Sequence, residues 1–162
     1  MITGLQKDLA VVADKELLPE TTQYQITNFI GLNKHVLKKQ VLALLFWDAH
    51  LDNIIVDSRG RMVGLIDFEH VDVVSIDFLL DIVRQMVRYP WFMLSPDMEK
   101  FADKEDYARV MEWYEESYPE LFDFPDLNKR LDFYEMEAIL RKLPRFPEAQ
   151  QLRDRLEGLL GA

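Results

Sequence analysis

The chain contains no cysteine, only six glycines and three histidines, and no long uninterrupted apolar run. Each shortage removes a class of protein. Without cysteine there is no disulfide framework and no thiolate metal site. His35, His50 and His70 are scattered and give no zinc-ligand spacing. No window of about 20 apolar residues exists, so the sequence predicts no membrane span. Met1 to Val12 is interrupted by Lys7 and Asp8 and lacks the pattern of a secretory leader. A cytoplasmic location is therefore expected. Positive charge is also scarce: 19 Lys and Arg stand against 29 Asp and Glu, a formal net charge of -10. That balance argues against a nucleic-acid partner, which would need a basic face. The acidic excess has two readings, attraction of a cationic small-molecule substrate or simple surface solubility.

What is present fits one globular domain over residues 1–162, with 49% hydrophobic and 30% charged residues. Helical spacing dominates. Leu5, Leu9 and Val12 share one face of a first helix over Ile2 to Lys15. Thr21 or Thr22 is positioned to cap a second, with Tyr24, Phe29, Ile30 and Leu32 as its apolar positions and Gly31 as a point where it could split. His35 sits among lysines and reads as part of a solvated face. Ala43 to Phe46 predicts a short buried strand. Beyond Asp77, one helix places Phe78, Ile82, Met86 and Tyr89 together. Another runs from Pro96-Asp97 through Tyr114, its aromatic and Met residues reading as a core-facing stripe. Asp126 is positioned to cap a helix over Leu127 to Leu143, and Glu148 to Leu160 predicts a last one.

The clearest extended signal lies in the stretch Phe46 to Asp81, FWDAHLDNIIVDSRGRMVGLIDFEHVDVVSIDFLLD. Asn53 to Val56 and Met62 to Ile66 are rich in β-branched residues. Asp57-Ser58-Arg59-Gly60 lies between them, with Gly where a left-handed backbone is expected. The hairpin has Asp48 and Asn53 on its approach and Asp67, Phe68 and Glu69 at its exit. An Asp in a catalytic loop, an Asn five residues later and an Asp after the next hairpin form a set that phosphoryl transfer uses. The first handles the acceptor hydroxyl proton, and the other two hold magnesium against the phosphates. Magnesium takes oxygen ligands and keeps several waters, so two or three side-chain oxygens suffice. For each residue alone a turn or strand-end role is equally open.

Asp48-Ala-His50-Leu-Asp-Asn53 followed by Leu65-Ile-Asp67-Phe-Glu69 resembles the aminoglycoside phosphotransferase and choline kinase superfamily, whose pattern is H-G-D-x-x-x-x-N, a hairpin, then I-D-[FW]-[ED]. Ser75-Ile-Asp77-Phe-Leu-Leu-Asp81 echoes its later G-D-P-x-x-D element. The resemblance covers about 36 residues. It implies a predominantly helical α+β fold, a protein kinase-like C-terminal lobe whose small antiparallel hairpin carries the catalytic and metal loops. It implies ATP and Mg2+ as cofactors and a small-molecule hydroxyl as acceptor. Asp48 takes the catalytic role, and Asn53 and Asp67 the metal roles. His50 supports the loop, Glu69 lies beside the metal, and Asp77 ties the loop to the next helix or caps that helix. Phe46-Trp47 replaces the family's His-Gly, and Asp52 replaces its Gly before the Asn.

The N-terminal half of the kinase pattern is missing. Gly4 and Gly31 are the only glycines before Asp48, so there is no Gly-rich phosphate loop, and Lys34 to Lys39 lie in a helical context rather than on a strand. The expectation is a C-terminal lobe without its nucleotide-binding partner, incomplete as an enzyme. The alternative is a non-catalytic interaction or ligand-binding module that keeps the lobe fold. Either way an uncovered apolar surface is expected, shielded by a missing lobe or by a homodimer formed through the face that holds Asp48 and Asp67.

Overall fold

The computed structural model describes residues 1–46, 53–89 and 104–161. They form seven α-helices and four strands, with 3-10 turns between them. The fold is α+β and mainly helical, as the periodicity predicts. Two compact units are present: Met1–Lys39 together with Pro125–Ala162, and Gln40–Phe124.

The first unit packs α1 (Ile2–Asp14) and α2 (Glu20–Asn33) with α6 (Leu127–Lys142) and α7 (Gln150–Gly161). Leu5 and Val12 of α1 meet Ile26, Phe29 and Ile30 of α2, Phe133, Met136, Ile139 and Leu140 of α6, and Leu152, Leu156 and Leu159 of α7 in one apolar core. The rings of Phe29 and Phe133 lie 5.0 Å apart. Burying each such side chain contributes about 1.5–3 kcal/mol before chain entropy is counted. Polar groups enter this core only with partners. Arg130 is fully buried and donates to the carbonyl of Val36 and to the Tyr134 hydroxyl. Arg155 of α7 donates through Nε and Nη2 to Oε1 of buried Glu135 on α6, at 3.0 and 2.9 Å.

Helix α2 corrects three expectations. It begins at Glu20 after Pro19, two residues earlier than a Thr21 cap allows, and Thr22 is buried inside it. Proline suits a helix start because the missing N–H has no intrahelical acceptor there. Tyr24 and Leu32 face solvent, and the helix runs through Gly31 without a break. His35 is exposed, as expected from its lysine-rich surroundings.

The second unit holds two separate two-stranded antiparallel sheets. One is the predicted hairpin, β2 (Ile54–Val56) with β3 (Met62–Leu65). The other pairs β1 (Leu42–Phe46) with β4 (Val71–Ser75) across a long stretch of chain, from Leu42 opposite Ser75 to Phe46 opposite Val71. Strand β1 starts one residue before the predicted Ala43. It is not a buried strand: Leu42 and Leu44 are exposed. Helix α3 (Phe78–Arg88) follows and packs on α4 (Lys104–Tyr107) and α5 (Val110–Ser117). The continuous helix expected up to Tyr114 is therefore broken at Ala108-Arg109, and its Pro96–Asp103 portion lies outside the described residues. Leu80, Val83, Leu121 and Phe124 are buried in this unit. The face of α3 that turns inward carries Leu80, Asp81, Val83, Arg84 and Gln85, whereas Phe78, Ile82, Met86 and Tyr89 are only half-buried.

Candidate functional site

The hairpin is closed by its own turn residue. Asp57 Oδ1 accepts from the backbone N–H of Arg59 at 2.8 Å and of Arg61 at 3.0 Å. Its Oδ2 accepts from Arg61 Nε at 2.8 Å and pairs with Nη2 at 2.7 Å. The Asp57 N–H donates to the Arg61 carbonyl, and the Gly60 N–H donates back to the Asp57 carbonyl, both at 2.9 Å. Gly60 has φ 73°, which only glycine adopts without strain. The Arg61 backbone and guanidinium hold the Asp57 carboxyl below its ordinary range, with the Arg59 N–H adding to the effect. An Asp that bonds amides two and four residues on is the local chemistry that turns the chain back here.

Strand register then sets the open end. Ile54 faces Leu65, and the Ile66 N–H donates to the Asn53 carbonyl at 3.0 Å, extending the ladder one step past β2. Between Ile55–Gly64 and Val56–Met62 the register shifts, leaving Val63 as the extra residue of a bulge. The shift lies toward the turn, so the pairing that brings Asn53 beside Ile66 is undisturbed. Asp67 follows directly. Asn53 and Asp67, called from the sequence as metal residues, therefore leave the two strands at the same end of the hairpin.

Their environments differ. Asn53 is buried, so its amide is fixed by surroundings, whereas Asp67 is exposed. Asp67 has φ 61° and ψ 59°, the left-handed region. Asp and Asn visit that region more readily than other L-residues, still at some cost, and such backbone positions cluster at functional sites. The 3-10 turn Phe68–His70 follows and leads into β4. Phe68 stacks against Phe46, with ring centroids 5.2 Å apart. Pairing of Phe46 with Val71 adds to this contact, so the end of β1 and the segment after Asp67 are held together. Glu69 is exposed within the turn. Asp48 and His50 lie outside the described residues.

Asp77 is fully buried at the N-cap position of α3. Its carboxylate makes no capping hydrogen bond to that helix and instead accepts from the Ser75 hydroxyl. The side-chain cap is thus not formed, although the Asp77 carbonyl does receive the Leu80 N–H at 3.0 Å. One turn on, buried Asp81 accepts from Arg84 Nη2 at 3.1 Å and from Gln85 Nε2 at 2.7 Å. Sequence reasoning does not single out Arg84 and Gln85. Their spacing of three and four from Asp81 was the available signal, since those positions share a helix face.

An amide oxygen and a carboxylate oxygen at one end of a hairpin form a hard donor pair that suits magnesium, with phosphate oxygens and water completing the shell. Among the described residues no group of three or more His, Asp or Glu could hold a metal alone. The sequence model of the phosphotransferase enzyme family matches residues 5–113, which include the whole hairpin and α3. The chain belongs to that family, part of the aminoglycoside phosphotransferase and kinase-like grouping, whose members generally use ATP and Mg2+. No curated protein and no solved structure matches it. Among the described residues no helix is long and apolar enough to cross a membrane.

Proposed function

We propose that this chain is a kinase-like phosphotransferase module acting on the hydroxyl of a small, cationic molecule, with Mg2+ and ATP as cofactors and the cytoplasm as its setting. The observation that carries the reading is the placement of Asn53 and Asp67 at one hairpin end, within the stretch that matches the family. The reading takes residues 1–162 as a C-terminal-lobe-type domain. Bound magnesium supplies charge neutralisation on the phosphate oxygens. Asn53 presents its amide oxygen from a buried, fixed position. Asp67 presents a carboxylate held forward by its left-handed backbone. Asp48 orients the acceptor hydroxyl and takes its proton. Asp77 and Ser75 brace the junction between β4 and α3. The acidic surface draws in a cationic acceptor.

No Gly-rich loop or strand lysine appears in the sequence, so the reading includes a nucleotide-binding lobe supplied from elsewhere. Phosphoryl transfer depends on positioning and charge neutralisation, and half a clamp supplies little of either. Titration calorimetry with magnesium and ATP tests this, with and without a family nucleotide-binding lobe added in trans. Binding should require magnesium and fall about 10–100-fold in Asp67→Asn, by analogy with the loss of metal-site partners. An absence of magnesium-dependent binding in both arms would overturn the proposal and leave the non-catalytic interaction module as the reading.

A further inference from the structure

The sheet formed by β1 and β4 has two outer edges, and they are not alike. Ile76 N–H donates to the Val41 carbonyl, so the backbone groups of residues 41, 43 and 45 turn toward β4. Alternation along an antiparallel strand then turns those of Leu42, Leu44 and Phe46 outward. On the β4 edge the outward N–H of Val73 is taken by the Asp72 carboxylate at 2.7 Å. That edge is blocked by a charge, a common protection against strand addition. Among the described residues the β1 edge has no such guard. The strand Leu42-Ala43-Leu44-Leu45-Phe46 contains no charged residue in a chain of net charge -10. Leu42 is 60% exposed and Leu44 70% exposed.

We propose that the β1 edge is a self-association site, which pairs antiparallel with β1 of a second copy about a two-fold axis through Leu44. The register is self-consistent. Leu44 is the middle of five residues and presents its N–H and C=O outward, so it pairs with itself across the axis. Leu42 then falls opposite Phe46 of the other copy. The three pairs exchange about six backbone hydrogen bonds, two per pair of outward-facing residues. The product is a four-stranded sheet in the order β4-β1-β1-β4.

Side chains agree with this register. Leu42, Leu44 and Phe46 share one face, and exposed Val73 lies opposite Leu44 on that face. Joining two copies makes the apolar strip continuous across the axis. Charge selects the same occupant. Two strongly acidic copies repel except where they meet over an uncharged strip, and β1 is one. The Asp72 guards then fall at the outer edges of the joined sheet and limit further strand addition, so assembly closes at two copies. This inference stands independently of the phosphotransferase reading.

Sedimentation equilibrium on the full chain tests it, using the wild type, Leu44→Lys and Ile55→Lys. Both variants place the same charge at an exposed apolar position, the second on the hairpin, where Ile55 is 46% exposed. The wild type should be a dimer at tens of micromolar, and Ile55→Lys should match it. Leu44→Lys sets like charges directly opposite each other and should weaken the dimer about 100-fold or more, as a central interface residue does. Its thermal midpoint, read at a concentration where the wild type is also monomeric, should be unchanged. A wild-type monomer throughout that range would overturn the proposal. So would an undiminished dimer in Leu44→Lys, or equal weakening in both variants, which would mean general apolar adhesion instead of strand pairing.

Discussion

Asp67 separates backbone cost from chemical role, because its left-handed geometry and its carboxylate can be removed independently. An ordinary L-residue in that region costs about 1–2 kcal/mol. Glycine abolishes the cost but adds about 0.4–1 kcal/mol of unfolded-chain entropy. Asp67→Gly should therefore leave stability level or raise it by up to about 1 kcal/mol. Asp67→Asn keeps a side chain that tolerates the region and should be neutral. Asp67→Val puts a β-branched side chain where it fits worst and should lie about 2 kcal/mol below Asp67→Gly. At this chain length the Gly–Val gap corresponds to a spread in melting midpoint of about 4–8 °C. All three variants should weaken magnesium-dependent nucleotide binding about 10–100-fold, whatever their stability. Differential scanning calorimetry beside binding titrations reads both axes. A clear drop in stability for Asp67→Gly, or undiminished magnesium-dependent binding in Asp67→Asn, would refute the assignment.

Three further outcomes are expected. Arg155→Met strands the buried Glu135 carboxylate and should cost about 3–5 kcal/mol, measurable by urea unfolding. A cost near zero would mean that Glu135 is satisfied without its partner. Phe133→Ala, which opens a void beside Phe29, should cost about 3–5 kcal/mol in the same assay. Burial pushes the Glu137 carboxyl above its ordinary value of 4.5, against the opposing pull of Arg141. Its favourable contribution is complete below the unfolded value and is lost as pH rises through the folded one. Glu137→Gln should therefore gain on the wild type as pH rises from 4 to 7 in thermal melts. A relative loss over that range would reverse the sign.

The hairpin was legible because its signals are local. Asp57 and Gly60 make the turn with their own atoms, and β-branched runs flank them on both sides. The exit of Asp67 beside Asn53 follows from that register. Strand β4 was not legible, since Val71-Asp72-Val73-Val74-Ser75 is short, carries a charge and finds its partner far away in β1. The expected burial of β1 failed for a related reason. An apolar run reads as core, and only the tertiary structure shows that, among the described residues, β1 has a strand neighbour on one edge alone. The inner face of α3 was misread because Arg84 and Gln85 both bond to Asp81 and the three go inward together, a pairing that hydrophobic periodicity does not register. Burial of Asn53 likewise left no mark in the sequence.

The division of the first unit between the two ends of the chain constrains the order of events during synthesis. Helices α1 and α2 leave the ribosome before α6 and α7, which match their apolar faces. At about 5–20 residues per second, the interval is on the order of ten seconds. Throughout it, Leu5, Val12, Ile26 and Phe29 have no native cover from α6 or α7, while Gln40–Phe124 is already available to fold as a continuous segment. The carbonyl of Val36 waits equally long for the guanidinium of Arg130. Nascent chains of this protein thus carry uncovered apolar faces on α1 and α2 until α6 and α7 emerge. Holdase chaperones should therefore matter to its yield.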